Sequence, residues 1–323
     1  MSINIATAFA PATVANVAVG FDVLGFPVDG VGDTVTAERA WPSAGGNPSV
    51  SISSIAGVVS GLPLDASRNT AGIVLQHLIR ELDLPFGFKL SIDKGIPLSS
   101  GMGGSAASSS AALVVANALL DRPLELDALL GFALAGEELA SGCAHGDNVA
   151  PCLYGGLTIL RSVNPVDVVR VPLPAPLFVA LVHPHRELDT RTSRSALPVE
   201  LPLKDYVAQS SRLAAFMVAC CTGDFVLMSR SLEDILVEPR RARLIPAFGA
   251  VKHAALRAGA LGCSISGSGP SVFALCRTQA EASKVGAAMA AAWGAAGVES
   301  DVWVSALSQK GARIISTDLE GNR

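Results

Sequence analysis

The chain is poor in charged residues, in aromatic residues and in clustered cations, and each shortage excludes a class of protein. Only 16% of its 323 residues are Asp, Glu, Lys or Arg and only 5% are aromatic, whereas 50% are hydrophobic. A chain with this much apolar material buries a large core and is not disordered. The net charge is −4 and no long run of Lys or Arg occurs. We therefore expect no nucleic-acid partner.

Long apolar segments and leader features are also missing. The longest strongly apolar stretch, residues 111–120, is about half of what a membrane-spanning helix needs. The first residues lack the Lys or Arg of a secretory signal, so we expect no signal peptide, no membrane partner and a cytoplasmic location. None of the six cysteines forms a C-x-x-C pair. Reduced, mostly buried thiols are expected rather than disulfides or zinc ligands.

Segments of β-type composition alternate with segments of helical periodicity along the chain. This interleaving predicts an α+β fold and not a doubly wound parallel sheet. The length suggests two domains, which we divide between residues 165 and 166, close to a proline-rich stretch at 171–176. The predicted strands are residues 3–9, 34–39, 50–55, 88–92, 177–183, 262–266, 271–276 and 300–304, and the predicted helices are 69–82, 105–120, 125–140, 206–221, 225–236, 246–258 and 279–296.

A glycine-rich segment, Pro97-Leu-Ser-Ser-Gly-Met-Gly-Gly-Ser-Ala-Ala107, follows a predicted strand and opens a helix that is small or apolar on nearly every side. Its glycines allow positive φ and a close approach of the backbone to an anion. The free N–H groups and the dipole of the helix then favour a phosphate, and Ser105 adds a hydroxyl. The segment predicts a phosphate-binding loop. The alternative is a tight turn whose glycines serve only packing.

Two common phosphate loops do not match. A Walker A loop ends in Gly-Lys followed by Ser or Thr, and no Lys follows these glycines. The dinucleotide fingerprint G-x-G-x-x-G lies near a first strand, whereas this segment lies near residue 100 and has Ala106 in place of the third glycine.

The segment resembles instead the second motif of the GHMP kinases, P-x-x-x-G-L-G-S-S-A-A. Met102 replaces the Leu, and Gly104 replaces the first Ser, which removes one hydroxyl near the phosphates. Residues 10–25 (Ala-Pro-Ala-Thr-Val-Ala-Asn-Val-Ala-Val-Gly-Phe-Asp-Val-Leu-Gly) are similar to the family's first motif, and residues 262–271 (Gly-Cys-Ser-Ile-Ser-Gly-Ser-Gly-Pro-Ser) to the third. On three motifs in the family's order, the sequence is identified as a member of the GHMP kinase family.

The resemblance implies a ribosomal-protein-S5-like ATP-binding domain at residues 1–165 and a ferredoxin-like domain at 166–323. It also implies ATP as co-substrate, Mg²⁺ as cofactor and a possible homodimer. Glu137 lies eight residues before His145, as the family's Mg²⁺ carboxylate does, so Ser105 and Glu137 are the expected metal ligands. The alternative for Glu137 is a solvated acid near the end of a helix. The residues that the resemblance assigns to ATP are Asn69, Lys94, Pro97, Gly101, Met102, Gly103, Gly104, Ser105, Ala106 and Ala107.

The segment His145-Gly-Asp-Asn-Val-Ala-Pro-Cys-Leu-Tyr-Gly-Gly156 resembles the family members that phosphorylate L-homoserine. This zwitterion needs a cation for its carboxylate, and an arginine fork can bond both carboxylate oxygens. Arg194 and Arg241 match the family's positions, although neighbouring arginines leave the register open. The same resemblance assigns the amino-acid and hydroxyl ends of the substrate to Asn16, Asp22, His145 and Asn148.

The catalytic candidates are Asp22, Asn148 and Glu137. Asp22 could act as a general base or could only orient the hydroxyl, and we favour orientation. Asp147 could bind metal or cap a helix at Asn148, and we favour the cap. Two other functions remain open: another GHMP kinase of the mevalonate type, and a catalytically inactive binding protein with the same fold.

Overall fold

The computed structural model describes residues 3–59, 61–141 and 146–319. No helix in these ranges is long and apolar enough to cross a membrane. The strands are β1 (Ile3–Ala15), β2 (Leu24–Ala40), β3 (Val50–Gly57), β4 (Gly87–Lys94), β5 (Thr158–Val163), β6 (Val166–Arg170), β7 (Phe178–Pro184), β8 (Gly262–Ile265), β9 (Val272–Cys276), β10 (Ser300–Ala306) and β11 (Arg313–Leu319). The helices are α1 (Thr70–Glu81), α2 (Gly104–Ala118), α3 (Leu126–Ser141), α4 (Gly146–Tyr154), α5 (Thr190–Ser195), α6 (Leu203–Thr222), α7 (Phe225–Ser231), α8 (Glu238–Arg241), α9 (Phe248–Ala258) and α10 (Gln279–Ala295), with 3₁₀ turns at Ala66–Arg68 and Ala242–Leu244.

The first sheet has the strand order β11-β1-β2-β4-β3, with β5 and β6 continuing from β2. Its long hairpin β1–β2 is antiparallel and ends where Ala15 pairs with Gly25. Helix α2 packs against β1 and β2. Small side chains permit this contact: Ala8 and Ala10 of β1 and Ala107 and Ala111 of α2 are all fully buried. The alanine-rich helix expected to be buried therefore lies at the centre of the fold, with its N-terminus near the hairpin's end.

The second sheet has the order β10-β7-β9-β8, and all its pairs are antiparallel. Helices α9 and α10 pack against each other and α10 packs against this sheet, where the Trp293 and Met289 side chains are fully buried. Both strands and helices occur in each half of the chain, so the predicted α+β class is confirmed. The hairpin β8–β9 brings the third motif's glycine turn to the boundary between the two sheets.

The sheets do not follow a division between residues 165 and 166. Strand β6 lies after that point but pairs with β5 in the first sheet, and β11 returns to pair with β1. The proline-rich stretch at 171–176 connects β6 to β7 and thereby links the two sheets. A division after residue 170, with β11 assigned to the first domain, describes the strand pairing better and is our revised proposal.

Several elements differ from the sequence-based prediction, which did not include strands β5, β6 and β11 or the short helices α5 and α8. Helix α7 ends at Ser231 instead of 236, and beyond it the Asp234 carboxylate accepts hydrogen bonds from the N–H groups of residues 236–238 in the turn that precedes α8. Helix α4 begins at Gly146, two residues before the helix expected at Asn148, and contains Pro151. Strand β2 begins at Leu24, ten residues before the predicted strand. Its first half was not predicted because Gly30 and Gly32 lower its β-propensity.

Candidate active site

A cleft of about 340 Å³ lies between the end of the β1–β2 hairpin, the N-terminus of α2 and the β8–β9 turn. Most of the predicted site residues line it. Those that do are Asn16, Asp22, Asn69, Lys94, Pro97, Gly101, Gly103, Gly104, Ser105, Ala106, Glu137, Asn148, Arg194 and Arg241. Met102 and Ala107 are fully buried and do not line it, and His145 lies outside the described residues.

Backbone hydrogen bonds join the three motifs. The Thr13 N–H donates to the Met102 carbonyl at 3.0 Å, which ties the first motif to the glycine-rich loop. The Ser271 N–H donates to the Ser100 carbonyl at 3.1 Å, and the Ser266 hydroxyl donates to the Gly101 carbonyl at 2.7 Å. Segments more than 160 residues apart in sequence therefore build one site around the loop.

The glycines of the loop are required by its conformation. Gly101 and Gly103 have φ of +74° and +70°, in the left-handed region that side chains disfavour. A Cβ at Gly103 would also lie 2.1 Å from Thr13 Oγ1. Gly103 precedes α2, and no described side chain caps this helix. The first-turn N–H groups of Gly104, Ser105 and Ala106 are thus available to an anion in the cleft.

Gly104, where the sequence departs from the family motif, has no such constraint. Its φ is not positive, and an added Cβ would meet the Ile96 Cγ2 atom at 3.3 Å, a contact that a small shift of the Ile96 side chain can relieve. The site therefore has space for a Cβ at this position if the buried Ile96 side chain moves by a few tenths of an ångström.

Ser105 and Glu137 are in contact, as the metal prediction requires. The Ser105 hydroxyl donates to the Glu137 carboxylate, whose side chain is 3% exposed in the cleft wall. A hydroxyl and a carboxylate are hard oxygen donors of the kind that Mg²⁺ combines with substrate phosphates. The described residues hold no cluster of three or more His, Cys, Asp or Glu side chains able to bind a metal alone. A cation here would need the nucleotide's oxygens to complete its coordination.

Lys94 lies beneath the loop and is only 4% exposed. Its ammonium pairs with the carboxylate of Asp33, and it also donates to the Ser108 hydroxyl at 2.8 Å and the Gly104 carbonyl at 3.0 Å. Asn69 caps α1 by accepting from the Ala71 N–H at 3.1 Å. Both residues hold the site's backbone in place, and their predicted contacts with the adenosine part of ATP remain a prediction.

The opposite end of the cleft carries the amino-acid candidates. Asn16 begins a turn in which Asn16, Val17 and Ala18 all have positive φ, a strained conformation that persists only where surrounding contacts hold it. Its side chain accepts from the Asp22 N–H at 3.0 Å and donates to the Gly267 carbonyl at 2.8 Å. The turn at the end of the β1–β2 hairpin is thereby locked to the β8–β9 turn.

Two guanidinium groups converge on this turn. Arg194 of α5 bonds both oxygens of Asp22, at 2.9 and 2.7 Å. Arg241 of α8 is 3% exposed and donates to the Gly267 carbonyl at 2.8 Å. Its Nε atom has no hydrogen-bond partner among the described residues. Burial lowers the pKa of Arg241, with the neighbouring Arg194 acting in the same direction and Asp22 opposing it.

Asn148 lies close to the loop, since its side-chain oxygen accepts from Thr13 Oγ1 at 2.8 Å. Asp147 is buried in the first turn of α4, which begins at Gly146, and lines the cleft. The preferred interpretation of Asp147 as the cap of a helix starting at Asn148 was wrong, because the helix starts two residues earlier. The register of the arginines is also clear, since Arg191, Arg240 and Arg243 do not line the cleft.

Sequence reasoning missed several residues that shape the site. Asp33 and Ser108 anchor the loop through Lys94, and Phe21 contacts both arginines. A lone Asp in a strand or a Phe in a turn carries no chemical pattern of its own. Only the folded chain brings Asp33 to Lys94 and Phe21 to the two arginines.

Comparisons with known proteins lead to the same family as the three sequence motifs. The model of the GHMP kinase N-terminal domain matches residues 69–156, and that of the GHMP kinase C-terminal domain matches residues 216–295. The homoserine kinase of Xylella fastidiosa is 51% identical over 96% of this chain and 94% of its own length. The crystal structure of homoserine kinase from Cytophaga hutchinsonii has a TM-score of 0.92 and 46% identity, covering 97% of this chain and 98% of that one. Mevalonate kinase of L. major, at 16% identity and a TM-score of 0.70, shares the fold.

The chain therefore belongs to the GHMP kinase family and has its two-domain kinase fold. Within that family it belongs with the homoserine kinases, which it matches at about half of all positions and over nearly its full length. The family and fold expected from the three sequence motifs are confirmed.

Proposed function

We propose that the protein transfers, in this cleft, the γ-phosphoryl group of ATP to the side-chain hydroxyl of L-homoserine. The products are ADP and O-phospho-L-homoserine, as needed for threonine biosynthesis. One observation carries this proposal: an uncapped helix N-terminus for phosphate and two arginines for a carboxylate line the same cleft. Phosphoryl transfer depends on positioning and charge neutralisation, and a cleft with these two ends supplies both.

The triphosphate binds at the N-terminus of α2. The N–H groups of Gly104, Ser105 and Ala106 face the cleft there, and the helix dipole adds about half a positive charge. The buried pair of Lys94 and Asp33 below holds the loop's backbone, so these donors are in place before the nucleotide arrives.

Mg²⁺ is the metal that this donor set favours. Ser105 and Glu137 would hold it, together with phosphate oxygens of ATP. When bound, the ion would neutralise charge that develops on the transferred phosphoryl group. The contact between the two side chains supports this assignment.

The amino acid binds at the other end, where Arg241 and Arg194 supply charge for the substrate's carboxylate. Asn16, Asp22, His145 and Asn148 hold the ammonium and hydroxyl ends in this proposal. Asp22 orients the substrate and does not act as a strong base. In support, Arg194 bonds both of its carboxylate oxygens, so Asp22 already acts as a hydrogen-bonding group that holds another side chain of the site in place.

A direct test is ADP production from Mg-ATP with L-homoserine, L-serine, mevalonate and galactose in parallel. Turnover with L-homoserine should exceed turnover with each other acceptor by at least about 100-fold, because the other acceptors lack its carboxylate, its ammonium or its chain length. Preferred turnover of mevalonate would replace the proposal with a mevalonate-type kinase. No ADP with any acceptor would indicate an inactive binding protein. The cytoplasmic location and the homodimer stay predictions.

A further inference from the structure

One aromatic ring contacts both arginines of the amino-acid end. The Cζ atoms of Arg194 and Arg241 lie 5.2 and 5.3 Å from the ring centroid of Phe21. Both distances are within the roughly 6 Å over which an aromatic face attracts a cation. One partly buried side chain thus contacts both cations that address the carboxylate.

Such a contact has a physical purpose at this position. Two guanidinium groups near one another repel, and the neighbouring Asp22 carboxylate is already bonded through both oxygens to Arg194. The negative π face of the Phe21 ring attracts each of the two cations and so offsets part of their mutual repulsion. An aliphatic side chain of similar size would fill the space without this attraction.

The position of the ring is fixed relative to Arg241. The Gly267 carbonyl accepts from Arg241 Nη1 and from Asn16 Nδ2, both at 2.8 Å. Asn16 also accepts from the N–H of Asp22, the residue that follows Phe21. The Arg241 guanidinium and the turn that carries Phe21 are therefore both held by the Gly267 carbonyl. The turn cannot move away without breaking the hydrogen bond from Asn16 to that carbonyl.

We propose that Phe21 is a positioning residue for substrate recognition. Its ring holds Arg194 and Arg241 at the separation at which both can address one carboxylate. The proposal rests on the proposed function, since it assigns the arginines to the carboxylate of L-homoserine. It adds a residue that acts through the two arginines and concerns the amino acid alone, not ATP.

The test compares Phe21→Leu with Phe21→Tyr in steady-state assays of the full chain. We expect Phe21→Leu to raise the KM for L-homoserine about tenfold, from the loss of two cation–π contacts. The KM for ATP and kcat should stay within about twofold, because the nucleotide end is untouched. Phe21→Tyr keeps the ring and should keep the original KM. Phe9→Leu is the matched control, since the Phe9 ring also carries a guanidinium, that of Arg313 at 4.9 Å, on strand β1 away from the cleft.

An unchanged KM for L-homoserine in Phe21→Leu would overturn the proposal, as would an equal rise in the KM for ATP, which would indicate a general structural role. If Phe21→Leu fails to fold, Phe21→Met fills similar volume without a ring and takes its place. Failure of the proposed function is a separate result, because the unaltered protein would then show no L-homoserine-dependent ADP production.

Discussion

The buried carboxylate of Asp33 is the group whose removal should reveal how the phosphate-binding loop is held. It is fully buried and has four partners at the loop's two ends. It pairs with the Lys94 ammonium and accepts from the Ser108 hydroxyl at 2.6 Å, on the side of α2. It also accepts from the N–H groups of Gly95 and Ile96 at 3.1 and 3.3 Å, where the loop begins.

The expected cost of Asp33→Asn follows from these contacts. The substitution leaves the Lys94 ammonium buried without its counter-charge, and breaking a buried ion pair in this way costs about 3–5 kcal/mol. That is a large part of the roughly 5–15 kcal/mol that typically stabilises a protein. The variant should still fold at low temperature, but its loop should lose the preorganisation of the first-turn N–H groups. The KM for ATP should therefore rise more than the KM for L-homoserine.

Urea unfolding and steady-state kinetics together measure both effects. Lys94→Met should lose a similar free energy of unfolding, and the double variant Asp33→Asn/Lys94→Met should lose less than the sum of the two, since no buried charge is then unpaired. Asp93→Asn, at an exposed position next to Lys94, is the control and should change the free energy of unfolding by less than about 0.5 kcal/mol. A loss below about 1 kcal/mol in Asp33→Asn, or additive losses in the double variant, would refute the reasoning.

Three further expectations concern the metal, the loop and pH. Glu137→Gln should raise the Mg²⁺ concentration for half-maximal activity about tenfold or more, because a charged ligand is lost, whereas the exposed neighbour Glu138→Gln should not. Gly104→Ser should fold normally and lower the KM for ATP about two- to fivefold through one added hydrogen bond. Gly103→Ser, at φ +70°, should be inactive and should unfold more readily. Burial lowers the pKa of His183 from 6.5 to about 4. Between these values the unfolded chain binds a proton that the folded chain does not, so the free energy of unfolding should fall by up to about 3 kcal/mol as the pH drops from 6.5 to 4.

Each of these has a contradicting result. Near-normal activity of Glu137→Gln at limiting Mg²⁺ would remove that residue from the metal site. If Gly104→Ser and Gly103→Ser had the same activity and stability, the backbone conformation and the space around each glycine would not determine which one can be replaced. His183→Gln should flatten the pH dependence of unfolding measured by urea titration between pH 4 and 6.5, and an unchanged profile would assign that dependence to other groups.

The local features of the site could be predicted from sequence because they depend on neighbouring residues. Glycines before an apolar helix predict a phosphate loop, since positive φ and free N–H groups are local properties, and Gly101 and Gly103 have that conformation. The resemblance to the family implied a metal role for Ser105 and Glu137, and both residues line the cleft, where they touch.

Other features depended on contacts between distant segments, which no local pattern encodes. The resemblance assigns Lys94 to ATP, which stays a prediction, but its buried pairing with Asp33, 61 residues earlier in the chain, could be found only in the fold. Strand β11 was not predicted, since its place beside β1 is decided by pairing across the whole chain.

The sequence by itself determined the family, the α+β class, the phosphate loop and most residues of the cleft, because motifs and periodicity act over short distances. The tertiary structure alone decided which of the five candidate arginines line the cleft and that Phe21 contacts two of them. Those choices depend on the fold bringing three segments to one point, where burial and charge fix each side chain's partner.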